Sequence, residues 1–185
     1  MENDIFKAIK ERRAIYPEQF NNELVSKDEI QQLIEAARYA PTHKLTEPWR
    51  FKAILGNSKN NFASFAEKII AEHPDFAPKA ERMANKIQKS GAILIISFQR
   101  DQKERIPEWE EIAATAMAVQ NMWLYLQHLN MGGYWSSGKP LMYAAKNFTS
   151  FEQGEKILGL FFIGKYDIEL KERRHKNVDE FTKWI

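Results

Sequence analysis

The sequence predicts a single α+β domain, and three stretches carry that reading. Ala92 to Phe98 (Ala-Ile-Leu-Ile-Ile-Ser-Phe) is a continuous apolar run, the mark of an interior strand buried on both faces. Glu108 to Asn130 is a long helix, apolar on most of its circumference, and so the expected central helix, buried within the domain. Ser26-Lys27-Asp28-Glu29 is a capping box that starts another helix, with Ser26 as N-cap and Glu29 three residues on. With 185 residues the expectation is one domain spanning 1–185, long enough for a sizeable core. At 44% hydrophobic and 28% charged residues the composition is that of a soluble globular chain, without repeats or linkers.

Asp4 to Arg13 reads as a short helix with Ile5, Phe6 and Ile9 on one face, ending in Arg12-Arg13-Ala14. Two adjacent arginines at a helix end complement the dipole. They equally suit a doubly charged phosphate, which guanidinium groups bind with paired hydrogen bonds. Pro17 keeps the next connection extended. Behind the capping box, with Val25 and Ile30 at the staple positions, Ile30, Leu33, Ile34 and Ala37 form a buried stripe, and the helix stops ahead of Pro41. Phe51 to Leu55 reads as a strand closed by Gly56-Asn57. Helices follow at about Asn60 to Ala71 and Lys79 to Lys89, separated by the breaker His73-Pro74-Asp75-Phe76-Ala77-Pro78; these segments suit the cover of a pocket.

Beyond the polar loop Arg100 to Pro107 and the long helix, Gly132-Gly133 is expected to serve as a C-cap. Tyr134-Trp135-Ser136 then runs as a short extended piece into the turn Ser137-Gly138-Lys139-Pro140, with a short helix around Leu141 to Lys146. Ile157 to Tyr166 is the last core strand. The charged tail ends in Phe181, Trp184 and Ile185, groups that are costly to leave in water, so it is expected to pack on its own core or on a second subunit.

The loop from Arg38 to Phe51 is unusually rich, with His43, two prolines and Trp49 between a helix and a strand. Pro41 and Pro48 stiffen it, and fixed backbone with polar groups at set offsets suits a ligand wall. Other chemistries find no support. The chain has no cysteine, which excludes disulfides and thiolate catalysis and fits the cytoplasm. Met1-Glu2-Asn3-Asp4 opens into an amphipathic segment without a signal core. A net charge of +2 with scattered basic residues gives no nucleic-acid footprint. His43, His73, His128 and His175 are isolated, so no metal site is expected. Gly133 to Lys139 and Gly159 to Lys165 imitate a P-loop, but Pro140 and Tyr166 stand where Ser or Thr must follow the lysine. Neither Gly-x-Gly-x-x-Gly nor Gly-x-Ser-x-Gly occurs, and Glu108, Glu110 and Glu111 sit at a helix start, where acids favour the dipole. A polar-aromatic pocket without nucleophile or metal points to a cofactor.

Taken together, Arg12-Arg13-Ala14, Ala40-Pro41-Thr42-His43-Lys44, Glu47-Pro48-Trp49-Arg50-Phe51, Gly133-Tyr134-Trp135-Ser136-Ser137-Gly138 and the tail from Arg173-Arg174 to Trp184 resemble the nitroreductase family, closest to its short branch of bacterial NAD(P)H nitroreductases. The resemblance implies an FMN-dependent oxidoreductase using NADH or NADPH, with a central, mainly antiparallel sheet among helices. It also implies a homodimer that exchanges its C-terminal arms and holds two flavins at the interface. Arg12 and Arg13 would meet the flavin phosphate and ring edge, and Ala14 falls where serine is usual. His43, with Tyr39 close by, would line the flavin from the partner subunit. Trp135, Ser136 and Ser137 would run along the ring and ribityl chain, and Arg173 or Arg174, or Lys176, would complete the phosphate site. The departure at Ala14 removes one neutral hydrogen bond, about 0.5–1.5 kcal/mol of cofactor affinity.

The implied reaction is ping-pong hydride transfer through flavin N5 to a nitroaromatic, quinone or similar small acceptor, with no catalytic side chain. Two alternatives stay open. One keeps the flavin and changes the reaction to dehalogenation, desaturation or flavin fragmentation. The other is a non-enzymatic dimeric binding protein that has lost FMN.

Overall fold

The computed structural model describes residues 4–170 and 174–185. Among these, six α-helices and four strands follow one another as α1 (Asp4–Glu11), α2 (Lys27–Ala37), β1 (Trp49–Leu55), α3 (Asn57–Ala71), α4 (Ala80–Lys89), β2 (Ala92–Gln99), α5 (Glu108–His128), β3 (Met131–Ser136), α6 (Lys139–Phe148) and β4 (Glu155–Lys165). The strands form one sheet in the order β1-β2-β4-β3, with every pairing antiparallel.

Alternation along the two central strands builds two cores. Ile93 and Ile95 of β2, with Leu160 and Phe162 of β4, pack under α3, α4 and α6. Leu94, Ile96, Phe161 and Ile163 face the other way, onto Leu33 and Ala37 of α2 and Ala118, Met122 and Leu126 of α5. The apolar run of β2 is explained by this: both of its faces are covered, and Ala92 to Phe98 are all buried. The sheet is therefore the middle of three layers.

The capping box forms as expected. Ser26 N donates to Glu29 Oε2 (2.7 Å), and Glu29 N donates to Ser26 Oγ (3.2 Å). Val25 and Ile30 both bury in the α2–α5 core. Burial alone would raise the Glu29 carboxyl, but the Ser26 hydrogen bonds and Lys165 outweigh it and hold the group below its ordinary value.

Two expectations change. The glycines 132 and 133 do not cap the long helix; they lie inside β3, and Asn130 takes the left-handed turn, with φ of 52°. Their bareness serves packing, because a Cβ on Gly132 would lie 2.5 Å from Ile15 and one on Gly133 2.6 Å from Phe161. Ile5, Phe6 and Ile9, on one face of α1, are exposed at the surface. Finally, α5 is buried along the face that carries Ala114, Ala118, Met122 and Leu126, while Trp109, Ile112 and Met117 on its other side stay open, Trp109 at 67% exposure. One chain covers only half of this helix.

Candidate functional site

The first cluster forms where the chain leaves α1. Ala14 pairs with Gly133 as a parallel bridge, and Ile15 N donates to Gly133 O (3.0 Å), so Arg12-Arg13-Ala14 lies along the free edge of β3. Two side chains of α5, four residues apart and so on one face, pin it there. Trp123 Nε1 donates to Arg13 O (3.0 Å), and Gln127 Nε2 donates to Ala8 O (2.7 Å). The Arg12 guanidinium lies over the Trp123 ring, 4.8 Å from its centroid, a cation–π contact. Arg12, Arg13, Trp123, Gln127, Tyr166 and Leu170 line a cleft of about 510 Å³. Burial pushes the Tyr166 phenol above its ordinary value, with Glu11 adding to the shift and Arg13 opposing it, so the hydroxyl is neutral around pH 7.

Among the described residues, two buried donors have no hydrogen-bond partner: Arg13 Nε, on the wall of the cleft, and Trp135 Nε1. Trp135 sits on β3 two residues beyond Gly133. Its indole fits against Gly159, where a Cβ would come within 2.5 Å of Trp135 Nε1 and of Ser136 O, and where φ is +152°. Gly159 stands at the register shift between β2 and β4, opposite Ile96. Ser136 Oγ accepts from Gly138 N at 3.4 Å, and Ser137 is exposed at the end of β3.

The second cluster lies at the other end of α5. Lys44, Leu45 and Glu47 have φ of 52°, 51° and 40°, three non-glycine residues in the left-handed region within four positions. The loop holds this shape through side chains. Thr42 Oγ1 and Thr46 Oγ1 are 3.0 Å apart, Glu47 N donates to Thr42 Oγ1 (3.2 Å), and Lys44 Nζ donates to Arg105 O (3.1 Å). His43 Nδ1 lies 2.6 Å from Glu110 Oε2, and the ring joins Thr42, Trp109 and Met117 around a shallower hollow of about 300 Å³. Tyr39 is exposed beside Arg38.

The sequence model of the nitroreductase family matches residues 9–165. The chain belongs to the nitroreductase family. It is 34% identical over 183 residues to the Bacillus subtilis (strain 168) protein named "Putative NAD(P)H nitroreductase YfhC", covering 94% of this chain and 91% of that one. Among solved structures, the nitroreductase-like family protein from Bacillus cereus superposes with a TM-score of 0.82 at 24% identity, covering 100% of this chain and 97% of that one. A nitroreductase with bound FMN from Desulfitobacterium hafniense DCB-2 gives 0.73 at 17% identity, with both chains fully covered (100%). These two likenesses establish the nitroreductase fold.

Within this family fold, the structure brings Arg12, Arg13 and Ala14 beside the strand that carries Trp135, Ser136 and Ser137. It does not bring His43 to them. Thirteen residues of α5 separate Glu110, which holds His43, from Trp123, which holds Arg13, or about 20 Å at the helical rise. Leu170 is on the wall of the arginine cleft; Arg174 and Lys176 are exposed, and Arg173 lies outside the described residues. Sequence reasoning missed Trp123, Gln127 and Tyr166. The spacing of Trp123 and Gln127 on one helical face was a usable signal; Glu110 as the partner of His43, 67 residues away, had none.

Proposed function

We propose that this protein is an FMN-dependent NAD(P)H oxidoreductase that works as a homodimer, with residues 1–185 as one flavin-binding unit. The observation that carries the reading is the cleft between α1, α5 and β3, with its two arginines and the unpartnered buried Nε of Arg13. Its volume of about 510 Å³ is within the usual range for small-molecule sites. The donor set fits FMN: cations for a phosphate dianion, a dry aromatic wall for a ring, and N–H groups that need an acceptor. The names of the relatives, and FMN in a fold neighbour, support the same assignment.

When bound, FMN would supply the chemistry, accepting hydride at N5 from NADH or NADPH and then reducing a nitroaromatic, quinone or similar small acceptor in ping-pong order. The chain's own residues bind and orient. In this reading Arg12 and Arg13, with Arg174 or Arg173 from the tail, hold the phosphate. Trp135, Ser136 and Ser137 flank the ring and ribityl chain, and at Ala14 the serine hydroxyl contact usual in the family is missing. Tyr39 and His43 act across the interface: the Glu110 that holds His43 is about 20 Å along α5 from the Trp123 that holds Arg13, so His43 reaches a flavin only from a second copy. The open side of α5 and the uncovered Phe181 and Trp184 (83% exposed) supply the apolar surface for that pairing. The chain's lack of cysteine agrees with a cytoplasmic setting.

The test is direct. The purified protein should be yellow, carry about one FMN per chain and oxidise NADH or NADPH with menadione or a nitrofuran as acceptor. A colourless protein that takes up no added FMN removes the proposal.

A further inference from the structure

We infer that Glu110 sets the tautomer of His43, holding the neutral ring as its Nδ1–H form so that bare Nε2 faces the site as a hydrogen-bond acceptor. The geometry is specific. His43 Nδ1 is 2.6 Å from Glu110 Oε2, and an ionised carboxylate has no proton to give, so the ring nitrogen must donate. The contact is also well braced. Glu110 sits on the first turn of α5, where its own N donates to Pro107 O (3.1 Å). The loop that carries His43 is held in three left-handed backbone conformations by the Thr42–Thr46 and Lys44–Arg105 contacts. Strain of this kind persists only where its surroundings over-determine it, and it gathers at sites of function. Among the described residues no hydrogen bond reaches Nε2, and the His43 side chain is 56% exposed.

The consequence is a choice of ligand chemistry. Bare Nε2 accepts from N–H and O–H groups and turns away carbonyl and phosphate oxygens, which a ring of the opposite tautomer would welcome. Resting on the flavin proposal, the group offered to it across the interface is a ring N–H or a ribityl hydroxyl. Glu110 is in that case a positioning residue, acting through His43 as outer carboxylates orient metal-bound histidines. His73 supplies an internal contrast. Its Nδ1 accepts from Asp75 N (3.2 Å), so neutral His73 must be the Nε2–H form.

The measurement is the ¹⁵N spectrum of histidine-labelled protein at a pH where the rings are neutral, with His43 assigned by the loss of its signals in His43→Gln. Wild type should show a pyrrole-type Nδ1 and pyridine-type Nε2 at His43, with the opposite pattern at His73. Glu110→Leu should return His43 to the Nε2–H form that predominates for imidazoles in water. An Nε2–H ring in the wild type overturns the inference, as does an Nδ1–H ring that survives Glu110→Leu; should that variant not fold, the wild-type spectrum decides. Flavin content is read separately from absorbance. A colourless protein with the Nδ1–H ring upholds the tautomer and sinks the flavin proposal, whereas a yellow protein with the Nε2–H ring does the reverse.

Discussion

Arg13 carries the clearest consequence of a single side chain. Its Nε is buried without a partner on the wall of the proposed phosphate site, and removing a charge-assisted hydrogen bond costs about 1.5–3 kcal/mol. Arg13→Ala should therefore weaken FMN binding by about 10- to 100-fold in a flavin-fluorescence titration; unchanged affinity would place the phosphate elsewhere. Glu155 governs a different property. It accepts from Lys52 Nζ and Ser97 Oγ in a nearly closed pocket. Burial pushes its carboxyl up, but Lys52, Ser97 and the Glu152 backbone outweigh that and hold it below the ordinary value. A depressed carboxyl contributes stability that is complete above about pH 4.5 and is lost as the pH falls through the lower, folded-state value. Glu155→Gln should flatten the acid limb of a Tm-against-pH curve and lower Tm at pH 7. This network was invisible in the sequence, because its three members lie 45 to 103 residues apart along the chain and meet only across β1, β2 and β4.

At the scale of one element, α2 offers the simplest test. Its start is encoded locally, and Ser26→Ala should cost about 1 kcal/mol in denaturant unfolding, the usual worth of an N-cap. Leu33→Ala, on the same helix but fully enclosed by the α5 core, should cost about 2–5 kcal/mol. The difference between the two substitutions separates what the helix supplies from what the layer beneath it supplies. Strand β3 shows the opposite dependence. Gly132 and Gly133 look like a helix stop in the sequence, since glycine is the usual left-handed cap. Asn130 does that work instead, and the glycines are needed because Ile15, Leu126 and Phe161 press on the strand from both sides. No local pattern reports a close approach by residues more than 25 positions distant, as Ile15 and Phe161 are from these glycines.

The whole molecule has more apolar surface than one chain can bury. Trp109, Ile112 and Met117 on α5, Ile5, Phe6 and Ile9 on α1, and Phe181, Trp184 and Ile185 in the tail all face water. On the proposed reading a second copy covers them and completes the site with its own His43. Met117→Glu should then shift sedimentation from dimer to monomer and release FMN together, because one interface serves both. Loss of the dimer with flavin fully retained would show that each chain holds its cofactor unaided.

Much of this protein follows from short-range rules that need no fold. The capping box at Ser26, the two-sided apolar run of β2 and the paired arginines at the end of α1 are each contained within a few consecutive residues, where spacing alone sets the physics. Decisions that depend on residues far apart in the chain belonged to the tertiary structure. It put Trp123 under Arg12, Glu110 against His43 and Gly159 under Trp135, and it set the Glu110 that holds His43 about 20 Å along α5 from the Trp123 that holds Arg13. Hydrogen bonds and ring contacts act over a few ångströms, so which groups they join is known only once the sheet has closed the distance between them.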